Sequence, residues 1–330
     1  MKKTLVAIAA LAVVGAASAQ STVNLTGKFA FAYASTNNGL GAATSKASGF
    51  GVTDGDVVFT AVEDLGGGLK AGATMAVRVR GRGVTASGTV DGRDATVWLG
   101  GGFGTLVGGA VEAGNGIIGF GGAGAPVIGL DNGGTANATT TAALDGGTNV
   151  DWLAYTTPSM GGFTATVQLI DSIGGPTAGG LQSSATLQDA TLIGVGYSNG
   201  PINFKGDYTS FGANAAAAPT ADTRLRLSGN YNLGVATVGI GYQSKENSAN
   251  LKDKQWILGV AAPFGPVTVG ANYVRHTNST NLKVTGWDLG VGYALSKRTG
   301  VQVGYQTIDS NAAAVVDNAT QFRIRLLHSF

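Results

Sequence analysis

Apolar and polar residues alternate one by one along most of the chain, in segments of about ten residues separated by turn-forming residues. A period of two puts successive side chains on opposite faces of an extended strand. In 22–33, Val23, Leu25, Phe29 and Phe31 share one parity, and Asn24, Thr26 and Lys28 the other. In 69–80, Leu69, Ala71, Ala73, Met75, Val77 and Val79 line one face, opposite Lys70, Thr74, Arg78 and Arg80. Read this way, the chain has sixteen strand segments: 22–33, 54–65, 69–80, 93–100, 103–111, 149–157, 162–172, 190–198, 201–211, 221–232, 235–245, 254–262, 267–276, 282–294, 299–308 and 319–330.

The connections alternate in length. Gly66-Gly67-Gly68, Gly101-Gly102, 158–161, Asn199-Gly200, 232–234, 263–266 and 295–298 are short, and glycine triplets suit tight turns because positive φ costs them little. Between them lie long polar loops, including 34–53 and 81–92. Short turns on one side and long loops on the other mark a transmembrane antiparallel β-barrel, and an even strand number leaves both termini on the short-turn side. An open sheet edge cannot sit in lipid, so the strands must close. Sixteen tilted strands enclose an aqueous channel rather than a filled core. The longest connection, 112–148, is rich in Gly, Ala and Thr and has neither a helical nor a strand period. Loops of that kind in compact domains are commonly functional. This one, the third long loop, is expected to fold inward and narrow the lumen.

Composition sharpens the picture. The chain has 55 Gly and only 12% charged residues, against about 25% in soluble domains. Beyond residue 19 there is no apolar run of about 18 residues that could form a spanning helix. Met1-Lys2-Lys3, the apolar run 4–15 and Ala17-Ser18-Ala19 read as a cleavable export signal over 1–19, with Gln20 as the mature start and 20–330 as one barrel domain. Removing Lys2 and Lys3 leaves 21 − 2 = 19 basic against 19 acidic residues, so no basic surface for nucleic acid is implied. With 0 Cys there is no disulfide framework or thiolate metal site.

Several short stretches carry a resemblance. Glu63-Asp64-Leu65-Gly66-Gly67-Gly68-Leu69-Lys70-Ala71, Gly102-Phe103-Gly104-Thr105, Tyr155-Thr156-Thr157-Pro158 with Gly162-Phe163-Thr164-Ala165, Tyr293-Ala294-Leu295-Ser296-Lys297-Arg298-Thr299 and the terminal Phe330 resemble the Gram-negative porins of neisserial and related proteobacterial outer membranes. The likeness spans nearly the whole mature chain. It implies a sixteen-stranded trimeric barrel for passive diffusion of small hydrophilic solutes and ions, with the third loop as eyelet. The implied partners are outer-membrane lipid and lipopolysaccharide, two further copies in a homotrimer, and the barrel-assembly machinery, which would read the terminal row Phe322, Ile324, Leu326, His328 and Phe330. The chain departs from the family pattern at Asp56 and Thr60, where basic residues are usual, and at Gly109-Ala110, where Gly-Arg is usual. The family's rows of pore arginines therefore do not carry over at these positions.

Other motifs reduce to ordinary structure. The literal G-x-G-x-x-G at 119–124 lacks the following helix that nucleotide binding needs. His276 and His328 have no metal-ligand spacing and suit solvent or interface positions. The sequons at Asn137 and Asn278 read as polar loop. Tyr33, Tyr197, Tyr208, Tyr242, Tyr273, Tyr293 and Tyr305 lie near the ends of outward rows, as an interfacial aromatic belt does. No cofactor or enzyme chemistry is called for, because no charged catalytic cluster stands at one rim. The rival to a general diffusion channel is a substrate-specific one with a lumenal row of aromatics, for which only Trp98 and Trp152 offer themselves.

Parity nominates the pore-lining charges. The bases are Lys28, Lys70, Arg78, Arg80, Lys205, Arg224, Arg226, Arg323 and Arg325. The inward acids are Asp56, Asp94, Asp207 and Asp288, and the long loop adds Glu112, Asp131 and Asp145. The balance is 9 − 7 = +2, which predicts weak anion preference. The expected eyelet sets Arg78, Arg80, Arg224 and Arg226 against Asp131 or Asp145.

Overall fold

A computed structural model of the chain describes residues 21–37, 46–79, 91–112, 149–173, 188–212, 222–247, 249–310 and 319–330. The export signal over 1–19, Arg80, the G-x-G-x-x-G at 119–124, Asn137, Asp131 and Asp145 lie outside the described residues.

Sixteen strands form one closed antiparallel barrel in which each strand pairs with its sequence neighbours. They are β1 (Thr22–Asn37), β2 (Lys46–Gly66), β3 (Leu69–Arg78), β4 (Asp91–Gly101), β5 (Gly104–Glu112), β6 (Asn149–Thr156), β7 (Phe163–Ile173), β8 (Gln188–Asn199), β9 (Ile202–Phe211), β10 (Thr223–Asn232), β11 (Thr237–Glu246), β12 (Lys252–Phe264), β13 (Val267–Thr277), β14 (Lys283–Ala294), β15 (Thr299–Ser310) and β16 (Ala319–Ser329). All sixteen predicted segments are present.

The boundaries differ in places. The expected loop 34–53 is largely strand, since β1 and β2 stay paired as far as Asn37↔Lys46. Small and polar residues there hide the alternation, and Thr53 adds an extra residue between the pairs Ala30↔Asp54 and Phe31↔Val52. β3 ends at Arg78, two residues short of the predicted end. β12 runs on through Pro263, which pairs with Thr268 beside the turn, where a missing N–H is tolerated.

The outer surface is apolar. Val23, Leu25, Phe59, Met75, Val97, Leu169, Ile193 and Leu258 are all exposed to the surroundings of the barrel. Aromatic residues stand at two levels on this surface. Near the short turns are Phe103, Tyr155, Phe163, Tyr197, Tyr231, Phe264 and Tyr293. Toward the long-loop ends stand Tyr208, the pairs Tyr242–Trp256 and Trp287–Tyr305, Tyr273 and Phe322. On β13 the step from Val267, at the lower level, to Tyr273 is six residues, roughly 20 Å of strand at about 3.3 Å per residue.

The turns follow their chemistry. Gly66, Gly67 and Gly68 all have positive φ, and the Gly66 N–H donates to Asp64 Oδ1 at 2.9 Å. Asn278 Oδ1 accepts from the Thr280 and Leu282 N–H groups at 3.0 and 2.9 Å, so this sequon builds its own loop.

Closure occurs where β1 meets β16. The Gly27 N–H donates to the Phe330 carbonyl and the Phe330 N–H to the Gly27 carbonyl, both at 3.0 Å. The Phe330 ring lies on Gly27 and stacks on Phe29 with centroids 6.3 Å apart. A Cβ on Gly27 would stand 2.2 Å from that ring. Gly27→Leu is therefore expected to displace Phe330 and cost about 1–3 kcal/mol of overpacking. Lower heat resistance of the folded band in unboiled gel samples would report it. Phe330→Ala in the same chain should recover part of the loss, and additive effects would disprove the contact.

Candidate functional site: the charged lumen wall

The inner face carries the polar parity of every strand, and its charges gather on two opposed walls. The first spans β16, β1, β2, β3 and β4. Asp54 Oδ1 lies 2.8 Å from Lys28 Nζ, and Asp54 Oδ2 lies 3.2 Å from Arg325 Nη1. Two residues along β2, Asp56 Oδ2 meets Arg93 Nη1 at 2.6 Å, and Arg78 Nε approaches its Oδ1 at 3.7 Å. Arg93 Nε also stands 3.6 Å from Asp94 Oδ2. Arg325 donates from Nε to Gln302 Oε1, and Arg323 donates from Nη2 to Gln321 Oε1 at 3.0 Å. Asp54 and Asp56 thus act as bridges in a continuous strip of bases. The strip holds Lys28, Arg78, Arg93, Arg323 and Arg325 against Asp54, Asp56 and Asp94, an excess of 5 − 3 = +2.

Two bulges shape this wall. Ala76 pairs with Asp94 and Val77 with Gly92, so Arg93 is the extra residue on β4. Thr53 is the corresponding extra residue on β2. A bulge re-aims side chains and sharpens local twist. The one on β4 lets Arg93 reach Asp56 although strict alternation would send it outward. Asp56, where the family pattern favours a base, becomes the carboxylate that binds two neighbouring arginines.

The second wall lies on β9–β12. Arg226 grips Asp207 from the side, with Nε 3.0 Å from both carboxylate oxygens and Nη2 2.5 Å from Oδ2. Both side chains are nearly fully buried, at 5% and 3% exposure. A forked guanidinium–carboxylate pair fixes both partners in place. Arg224 donates to Thr209 Oγ1 at 3.3 Å, and its guanidinium lies 5.7 Å from the centre of the Phe211 ring. The next inner positions are Lys245, paired in register with Arg224, and Asp253 opposite Lys245. Buried Gln243, Gln255, Gln306, Gln321 and Asn272 continue the polar wall, and Asn272 Nδ2 donates to Asp288 Oδ1 at 3.2 Å.

Parity reasoning placed Arg78, Arg224 and Arg226 on one wall. Six strands, β4–β9, lie between β3 and β10, so they stand on opposite sides. Lys70 and Lys205 share the inner parity near the short turns, and Glu112 is the last residue of β5. Asp54 and Arg93 were missed. Asp54 shares the parity of Asp56 and was legible, whereas Arg93 depends on a bulge that no alternation reveals. His276 is half-buried near the long-loop end of β13. His328 is exposed on the outer row, with Nδ1 2.9 Å from Thr299 Oγ1. Trp98 and Trp152 face inward on β4 and β6. Trp98 lies flat on Gly72, where a Cβ would meet its ring at 2.5 Å, so it belongs to the wall.

One inner region is apolar. Val274, Val284, Ile308 and Ala319 form a buried cluster on β13–β16, and Ile257 on β12 is equally buried.

With this geometry in hand, the comparisons with known proteins are consistent with one another. The family description "Gram-negative porin" matches residues 4–313. Outer membrane porin protein 32 of Delftia acidovorans is 31% identical over 290 residues, covering 80% of this chain and 77% of that protein. Among solved structures, an anion-selective porin from Comamonas acidovorans superposes with a TM-score of 0.70 at 22% identity, covering 94% of this chain and 100% of that one. OmpT of Vibrio cholerae, in its trimer form, gives 0.65 at 15% identity, covering 94% and 99%. The chain belongs to the Gram-negative porin family and forms a passive diffusion channel in the bacterial outer membrane.

Proposed function

We propose that the channel is general rather than substrate-specific and weakly anion-preferring, and that the two charged walls are its selectivity element. The observation that carries this is the excess of base on the inner strand faces. By register, Lys28, Lys70, Arg78, Arg93, Lys205, Arg224, Arg226, Lys245, Arg323 and Arg325 stand against Asp54, Asp56, Asp64, Asp91, Asp94, Asp207, Asp253 and Asp288, giving 10 − 8 = +2 among the described strand residues. Most acids are engaged by bases, so the field is a modest positive one spread over both walls. Salt screens charges beyond about 8–10 Å, so only bases near the narrowest passage act on a permeating ion. The related porin described as anion-selective supports the sign.

The long loop 112–148 is assigned to the lumen as the constriction, with Asp131 and Asp145 facing the arginines; Glu112 falls on the outward parity of β5 and is left out of that set. Support comes from the inner apolar cluster. Val274 and Ile308 are each 1% exposed, whereas a wall facing only water would wet them. The loop carries apolar runs at Ile117-Ile118 and at Val127-Ile128 that suit such a surface.

The functional unit is a homotrimer packed through β1–β5, where Ala71, Ala73 and Ala95 present small outward side chains. Gly27, equally small by sequence, does not contribute, because the Phe330 ring covers it. The barrel sits among lipopolysaccharide and is assembled through the outward row Phe322, Ile324, Leu326, His328 and Phe330. Residues 1–19 serve as its cleaved export signal.

Three outcomes are expected. Reversal potentials in a salt gradient across planar bilayers should show mild anion preference that shrinks in the chain carrying Arg224→Ala and Arg226→Ala. Clear cation selectivity of the natural chain would overturn the reading. Deleting residues 119–136 should raise single-channel conductance, and a correctly folded deletion with unchanged conductance would place the loop outside the lumen. Light scattering of the detergent-solubilised protein should return the mass of three barrels, against one for a monomer.

A further inference from the structure

Between the two charged walls the inward parity changes character. On β5–β8 its positions over 105–111, 150–156, 164–170 and 190–198 carry no charged residue. Toward the long-loop ends they line up as an apolar row. Trp152 pairs in register with Ile170, Ile170 with Ala190, and Ala190 with Phe211 on β9. Strands lie about 4.8 Å apart, so three steps carry the row roughly 14 Å around the wall. The row ends at positive charge. The Arg224 guanidinium lies 5.7 Å from the centre of the Phe211 ring, and Lys245 follows in register with Arg224.

This row differs from the apolar cluster on β13–β16. There Val274 and Ile308 are each 1% exposed, so their side chains are sealed. Trp152, Ile170 and Phe211 are half-buried, and their inward parity turns the exposed part toward the lumen. The interior of a water-filled barrel is ordinarily polar, and a polar side chain at these positions would cost nothing. A contiguous apolar surface left open to water marks a place where apolar matter binds. The basic end adds a second requirement. An arginine can lie against a ring and still present the N–H donors of its own plane to a carboxylate. Lys245, half-buried beside it, brings a second cation to the same end.

We propose that the inner face of β6–β9 is a binding strip for aromatic carboxylates in transit through the channel. The ring lies on Ile170, Ala190 and Phe211, and Trp152 closes the far end of the row. The carboxylate meets Arg224 and Lys245. A neutral aromatic solute lacks the anchor, and a small carboxylate lacks the ring. The strip biases a general channel among anions without closing it to other solutes. The proposal rests on the reading of this pore as anion-preferring and names the class of anion that it retains.

The test uses the full mature protein in planar bilayers at neutral pH, where benzoate and acetate are both ionised. Single-channel chloride current is recorded while either anion is added to one side. Benzoate should halve the current at a concentration roughly 10-fold below that of acetate, from the apolar area that its ring buries. Benzyl alcohol should leave the current unchanged at the concentration where benzoate halves it. Ile170→Ser together with Phe211→Ser should bring the benzoate-to-acetate ratio close to one. Leu169→Ser, on the outer face of the same strand, should keep the ratio of the natural chain. Equal block of the natural chain by benzoate and acetate would overturn the strip, and that comparison needs no variant to fold. Equal block by benzyl alcohol would overturn it too, as would an unchanged ratio in the folded double variant or an equal loss of the ratio in Leu169→Ser. The ratio compares two anions of one charge and so does not depend on the preference for anions over cations. A cation-preferring channel that keeps the ratio would sink the selectivity reading alone, and an anion-preferring channel without it would sink the strip alone.

Discussion

Saturating every backbone hydrogen bond within lipid is the constraint on which this structure depends. Hydrocarbon offers the peptide N–H and C=O groups no water, and an unpaired group there costs several kcal/mol. A sheet meets that demand only by having no edge. The closing pair of β1 and β16 therefore matters as much as the fifteen other pairings together. At that seam the chain uses its last residue. The Phe330 backbone completes the ladder with Gly27, and its ring covers the glycine and reaches Phe29. The absence of a side chain at Gly27 lets one residue supply both the hydrogen bonds and the packing of the joint.

Closure then divides the two faces. The outer face is selected for apolarity between two aromatic levels, and the inner face is free to carry charge. Inside, the charges do not stand alone. Asp207 is held by Arg226, Asp54 by Lys28 and Arg325, and Asp56 by Arg93 and Arg78. Such pairing reduces desolvation cost and fixes long side chains that would otherwise sweep the passage. The surplus bases are held in position by the same network, and the polar glutamines of β11, β12, β15 and β16 continue the wall around it.

Much of this was written in the alternation. Strands such as β3, β10 and β16, with clean two-residue periods and glycine or asparagine at their turns, could be read directly, as could the inward parity of Arg226 and Arg323. Alternation failed where the ladder itself is irregular. Thr53 and Arg93 each add a residue to one strand, and past such a point parity inverts without any mark in composition. It also failed at the upper ends of β1 and β2, where Ser35 and Ser48 stand on the outer parity and no longer need to be apolar. Parity assigns a face but not an azimuth. Arg78 and Arg224 therefore looked like neighbours until the strand order set them on opposite walls.

The seam between the first and last strands also governs how the protein can be made. The fifteen pairings between consecutive strands can form as hairpins, but the β1–β16 pairing joins residues separated by nearly the whole chain. Contacts of that sequence distance carry the largest loop-closure entropy and form late. Until Phe330 is delivered, the growing sheet has two open edges and an apolar outer face, a combination that favours aggregation in water. The protein's solubility before insertion is therefore a matter of timing, set by how quickly the final strand can find the first.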